Sequence, residues 1–491
     1  MFIWNSGIVF ADSWPYYRGA HHDGISTEKI RVDWATTQPR QVWKVPLDPA
    51  LSSLTISGGK VLTQARRVAP DGVEHEFCLA LDAETGRELW ASPPLGAAFY
   101  PNGGVRNDDG PRSTPCVDGD RVYIFSSYLH LVCMDSGTGQ IIWKRYLPEL
   151  YNSTVIAWQN AASPVIEGDV VIVNGNSPHG TLMGFRKHDG NLAWQSQNDW
   201  MTQASPVAAT IGGVRQVIFF AQSGLVSVEP KTGAVLWRYP IRCNNISIAA
   251  SPVVVGETVY CSRTYGPFAG ALRLKIDMAD AGRAFTATAL WEKPNQLMNH
   301  WATPVHVNGH LYGMYGQTFV QLKCLELATG TEKWSIEGFG YGNVLAVDGK
   351  ILALSETGEI VLIEAKPEAY TELARYRALQ GKCWNVPAFS DGRLYVRSTL
   401  EGVCLDFRTP GKDPEDSSPP LAPKLSFDLS RGLKISGSPG LKYRIEYIDN
   451  LTGSQPWQEL QTLVLVKSEE IVSVASPVGV SHRFYRAVSI P

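Results

Sequence analysis

The 491-residue chain has eight cysteines but no C-x-x-C, no adjacent pair and no C-x-x-C-H. Those gaps argue against a thiolate zinc site, a redox dithiol and attached haem. No apolar run is long enough to span a bilayer as a helix. Neither charge sign dominates: 44 basic and 47 acidic residues leave a net −3, with no basic stripe. No nucleic-acid partner is expected from such a balance. Neither G-x-S-x-G nor H-E-x-x-H occurs. The glycines fall in turn-like contexts rather than at helix starts, so no phosphate loop is present.

Tryptophan and glycine, by contrast, are plentiful, at 15 and 45 residues, and a repeat uses both. In the stretch 80–90, Leu79 and Leu81 close one apolar run, while Leu89 and Trp90 lie in the next. Asp82 suits the turn between them, because its side chain bonds nearby backbone. Gly86 suits a position of positive φ. Trp90 is stabilising only where a neighbouring surface receives it. The pattern returns at Asp135–Gly139–Trp143, more loosely at Asp189–Gly190–Trp194, and again at Gly233–Trp237 and Gly330–Trp334, with Trp291 ending a stretched copy. Counting from Trp43, successive tryptophans stand 47, 53, 51, 43, 54 and 43 residues apart. A strand repeat of this length cannot bury its own faces and implies a propeller. Trp43, Trp90, Trp143, Trp194, Trp237, Trp291 and Trp334, with Gly86, Gly139, Gly233 and Gly330, are the expected docking residues between blades.

The expected fold is therefore all-β: an eight-bladed β-propeller with a small C-terminal β-sandwich. Residues 1–11 read as the remnant of a secretion signal, with Val9 and Ala11 at the small positions of a cleavage site. Residues 12–409 form the propeller. A polar and aromatic lead-in (Trp14-Pro15, Arg18-Gly19, Asp23-Gly24) precedes an orphan strand around Trp43, which would complete a last blade of three strands. Inner strands are marked by Thr114-Pro115, Ser163-Pro164, Ser205-Pro206, Ser251-Pro252 and Thr303-Pro304. Residues 340–379 read as a degraded blade, with Ala374 in the tryptophan position. Residues 410–423 have a linker composition, and 424–491 alternate as a sandwich would, with Trp457 and Leu460 as core candidates. Cys78, Cys133, Cys324 and Cys404 share one repeat position and read as small core residues.

The repeat A-x-D-x-x-T-G-x-x-x-W resembles the tryptophan-docking repeat of quinoprotein dehydrogenases and, equally, the non-enzymatic PQQ-like propellers of the BamB-like branch. The lead-in is similar to that of secreted planctomycete and verrucomicrobial members. The resemblance implies architecture and an extracytoplasmic setting, periplasmic or secreted. Quinoprotein dehydrogenases carry vicinal cysteines over the cofactor, and no Cys-Cys occurs here. Their calcium-binding set matches no motif in this chain.

Loops before the inner strands gather one set of side chains on one face: Arg112; Trp158 and Asn160; Trp200 and Gln203; Asn245; His300 and Trp301; Trp384 and Asn385. Docking does not account for these tryptophans. Such a rim either covers loop backbone and plugs the channel, or receives a sugar, a peptide or a flat cofactor. Asp108-Asp109 and His21-His22-Asp23 are metal-capable types in turn-like contexts, and His300 stands without a nucleophile motif. No catalytic, cofactor-binding or metal residue is assigned and no cofactor is expected. The leading expectation is a monomeric extracytoplasmic scaffold that recruits a protein or polysaccharide partner. The alternatives are an oxidoreductase using PQQ with calcium, and a carbohydrate-binding surface protein.

Overall fold

Strand after strand in this chain is apolar on both faces, as in Val122-Tyr123-Ile124-Phe125 and Ile360-Val361-Leu362-Ile363, all of them buried. A sheet with one wet face would alternate instead. Only sheets covered on both sides bury such strands, and the computed structural model shows that arrangement. It describes residues 14–34, 36–96, 109–243, 248–280, 284–408, 424–428, 432–436, 442–449, 457–465, 469–472 and 483–490. The chain divides into two compact units, Met1–Arg408 and Thr409–Pro491.

The described part of the first unit holds eight sheets of four antiparallel strands, one of which gains a fifth, parallel strand. Its one helix, Leu147–Tyr151, has five residues. The orphan strand Arg40–Pro46 pairs with Glu401–Asp406, placing Trp43 opposite Cys404. The two ends of the unit thus share one sheet. All four repeat-position cysteines are buried.

In each of the eight sheets the register slips just before the tryptophan position: Gln41/Trp43, Glu88/Trp90, Ile141/Trp143, Leu192/Trp194, Val235/Trp237, Ala289/Trp291, Glu332/Trp334 and Glu372/Ala374. A bulge re-aims the following side chain. Here it turns the indole onto the next sheet's turn. A Cβ added at Gly86 would lie 2.8 Å from Trp43, at Gly139 2.4 Å from Trp90, at Gly233 2.3 Å from Trp194 and at Gly330 3.2 Å from Trp291. Six indole N–H groups donate to carbonyls of the neighbouring sheet's turn: Trp43 to Ala83, Trp90 to Ser136, Trp143 to Lys187, Trp194 to Pro230, Trp291 to Leu327 and Trp334 to Lys366. Trp237 departs from this pattern and donates to Gln216 Oε1 of its own sheet. The next sheet's outer strands are lengthened to Gly270–Asp280 and Ala284–Pro294.

The Ser/Thr-Pro marks have a second use. Each proline stands immediately before its inner strand, and at four of the five the hydroxyl ahead of it accepts a backbone N–H from the sheet before, the exception being Ser251. Thr114 Oγ1 accepts from Ser53 N, Ser163 Oγ from Thr114 N, Ser205 Oγ from Ser163 N, and Thr303 Oγ1 from Ser251 N. Ser53 Oγ accepts from Val386 N, which joins the last sheet to the first.

The lead-in is more than a polar entry segment. Trp14 forms an antiparallel bridge with Ile56, and Pro15 O accepts from Val117 N. Arg18, 1% exposed, donates to Thr303 O at 2.7 Å and Pro304 O at 2.9 Å. Ile25–Ser26 then adds as the parallel strand beside Asn343–Val347. The segment crosses between inner strands far apart in sequence.

The described part of the second unit forms two three-stranded sheets that share a core of Leu433, Ile435, Tyr443, Ile445, Leu465 and Val472. Two of its strands, Gln458–Val464 and Glu469–Val472, have too little alternation to be read from sequence. Leu460 packs against the core, but Trp457 does not belong to it: its ring lies under the Arg486 guanidinium, 4.3 Å away. Residues 1–11 and 410–423 fall outside the described residues.

Candidate functional site

The loops that precede the inner strands, and those joining second to third strands, open on the same end of the first unit. They surround a cavity of about 580 Å³, inside the roughly 300–1,000 Å³ range of small-molecule sites. One wall is aromatic. Trp301 packs on Trp384 with ring centroids 4.2 Å apart and on Tyr341 at 4.8 Å. His300 stacks on Trp301 at 3.8 Å, and Tyr265 meets His300 edge-on at 4.9 Å. The polar edges of Trp301, Trp384 and Tyr341 are engaged within the protein. Trp301 Nε1 donates to Tyr341 O, Trp384 Nε1 donates to Glu356 Oε1 at 2.9 Å, and Glu356 Oε2 accepts from Tyr341 N. Ring surface is what remains for the cavity.

Burial pushes the His300 imidazole down to about 4, so it is neutral at pH 7. Its Nε2 meets the Tyr265 hydroxyl, which burial, and then the nearby Tyr341, push up to about 12. A histidine so depressed is a weak base near neutrality.

Beside the aromatic wall, two cations share one carboxylate. Asp109 is 5% exposed and binds Lys382 at 2.5 Å, with Arg112 at 3.8 Å. Burial lowers the Arg112 pKa, and Asp109 opposes that shift. Lys382 Nζ also lies 4.6 Å from the Trp384 ring centroid. Arg112 Nη1 donates to Trp158 O at 2.6 Å, and Gln203 Nε2 donates to Trp158 O and Gln159 O. These bonds hold two successive left-handed residues, Trp158 at φ 68° and Gln159 at φ 63°. Such backbone costs on the order of 1–3 kcal/mol per residue and concentrates at ligand sites. Tyr17, from the lead-in, also lines the cavity, and burial raises its pKa.

Of the rim residues expected from sequence, Arg112, Trp158, Gln203, His300, Trp301, Trp384 and Asn385 line the cavity. Asn160 does not: its amide is fully buried and donates to Phe125 O and Ala162 O, fixing loop backbone. Trp200 is also outside it. Its carbonyl accepts from Gln222 N and its side chain is exposed. Asn245 and Asp108 lie outside the described residues. His22 is buried in the lead-in, stacked on Tyr16, and Asp23 accepts from Ile25 N. Tyr17, Tyr265, Glu356 and Lys382 line or buttress the site without having been expected. Tyr265 and Glu356 come from loops between second and third strands, which carry no proline mark to reveal their shared face.

Among the described residues no group of three or more His, Cys, Asp or Glu side chains could hold a metal ion. The one carboxylate on the charged wall, Asp109, is held by two cations, and the eight cysteines are dispersed and free. These donors do not fit a calcium-held quinone.

The sequence profile of the outer membrane protein assembly factor BamB family matches residues 74–336, more than half of the chain. BamB of Moranella endobia is 22% identical over 288 residues, covering 58% of this chain. The chain spans 59% of that relative's length. The structure of BamB from Moraxella catarrhalis superposes with a TM-score of 0.53 at 17% identity, over 76% of this chain and 99% of that one. Quinohemoprotein alcohol dehydrogenase from Comamonas testosteroni superposes with a TM-score of 0.56 at 11% identity, over 85% of this chain and 83% of that one. No helix among the described residues is long and apolar enough to cross a membrane.

Proposed function

The chain belongs to the family of outer membrane protein assembly factor BamB, and from that premise we propose that it is an extracytoplasmic binding and scaffolding protein whose loop-rich face recruits a partner. In this reading the eight sheets are the blades of one ring, closed by the Arg40–Pro46 strand, over residues 12–409. Residues 410–423 link the ring to a β-sandwich at 424–491.

The supporting observation is where apolar surface is left exposed. Trp158, Trp200 and Phe319 are the exposed aromatics among the first unit's described residues, and all three sit in loops of this face. Phe319, 89% exposed, belongs to the loop that Tyr341 Oη anchors by donating to Gln317 O at 2.8 Å. Exposed aromatic anchors mark recognition surfaces. A photo-crosslinking residue placed at position 319 or 158 in cells is expected to capture a protein or polymer partner. The same residue at Leu89, on an outer strand, is expected to capture none. Equal capture at all three positions, or none at any, overturns the reading.

A further inference from the structure

We propose that the cavity takes a sugar unit of a neutral glycan; this rests on the loop-rich face being the binding face and names what the centre of that face holds. The aromatic wall offers ring surface with its indole N–H groups already engaged, which suits the C–H face of a pyranose. The charges around the cavity cancel. Lys382 and Arg112 face Asp109, while Glu356 holds the Trp384 indole N–H and the Tyr341 amide. These four charges sum to zero, so a strongly anionic or cationic ligand would be stripped of water there with no net counter-charge to meet it. Hydrogen-bonding capacity is nevertheless left over. Asn385, 3% exposed in the cavity wall, has neither amide atom paired, and His300 Nδ1 is likewise buried without a partner. An unpaired donor and acceptor on one side chain call for a ligand group that both donates and accepts, as a hydroxyl does.

The test is an array of neutral and charged glycans probed with the full chain, followed by calorimetry on the best neutral oligosaccharide. At least one neutral glycan is expected to bind at about millimolar Kd or tighter. Trp301→Ala and Asn385→Leu are each expected to weaken it ~tenfold or more. Leu89→Ala, on the outer strand Glu88–Ala91, should leave it unchanged. Because Trp301→Ala removes packing from Trp384 and Tyr341, Asn385→Leu, with an unaltered melting temperature, is the deciding variant. Absence of neutral-glycan binding, stronger binding of a charged glycan, or binding indifferent to Asn385→Leu each overturns the proposal. If position 319 still captures a protein while no glycan binds, the recruiting face stands and the glycan assignment falls.

Discussion

Gly119 and Gly139 have similar backbones, at φ 60° and 72°, but different surroundings. A Cβ at Gly119 meets nothing within 4 Å, whereas at Gly139 it lies 2.4 Å from the Trp90 ring. Gly119→Ala is expected to cost about 1 kcal/mol from the left-handed backbone alone. Gly139→Ala adds the partial loss of a docked indole and should cost ~3 kcal/mol. Urea unfolding midpoints measure the difference, and equal losses would remove packing from the account of the repeat. His22 makes a pH prediction. Burial is the largest cause that pushes it from 6.5 down to about 4, with Arg215, His21 and Arg18 adding to the shift. Below pH 6.5 the unfolded chain binds a proton that the folded chain refuses. The stability this group contributes is therefore whole above pH 6.5 and falls as pH drops toward 4, by up to ~3 kcal/mol. His22→Gln should flatten part of the melting-temperature decline over that window. An unchanged decline would show that His22 is not its source.

At the scale of elements, two segments with different duties lie side by side near the start of the chain. The strand Arg40–Pro46 completes a sheet, and Trp43 caps the contact with the next one. Trp43→Ala is expected to cost about 3–5 kcal/mol. The lead-in before it ties together inner strands from distant parts of the chain through the buried Arg18 and lines the cavity with Tyr17. Removing residues 1–38 spares the Arg40–Pro46 strand. It should still lower the melting temperature and weaken any ligand held in the cavity. A shortened chain that melts and binds like the full one would show that the lead-in only rests on the sheets.

At the scale of the whole molecule, each unit has its own apolar core, one of them the Leu433–Val472 cluster and the rest within the first unit. A chain truncated after Gly411 should fold with the melting transition that the first unit shows in the full protein; an insoluble product, under conditions where the full chain is soluble, would contradict this. The cavity chemistry gives a second prediction at this scale. Its carboxylates are engaged and no three-ligand cluster is present among the described residues. With PQQ and calcium added, dye-linked oxidation of alcohols or sugars should not appear. Calcium-dependent stoichiometric binding with dye reduction would return the chain to the dehydrogenase reading.

The repeat and the cooperation of the two chain ends were legible because they are local and periodic. A turn that needs Gly86 and an indole that needs a receiving surface recur at nearly constant spacing, and a three-stranded last group leaves the Trp43 strand an obvious place. Most of the rim was legible for the same reason: proline marked the inner strands and so located the loops before them. What only the tertiary structure decided is where side chains of equal sequence prominence go. Trp158 and Trp200 both stand six residues before a proline, yet one lines the cavity and the other faces outward. Asn160 and Asn385 look alike in sequence, yet one bonds loop carbonyls and the other is left unpaired. Tyr17, Tyr265, Glu356 and Lys382 reach the site from segments with no common mark, brought together by contacts between residues hundreds of positions apart. Periodicity encodes how each sheet meets the next; the charge balance and unpaired groups of the cavity arise only when loops from many sheets converge.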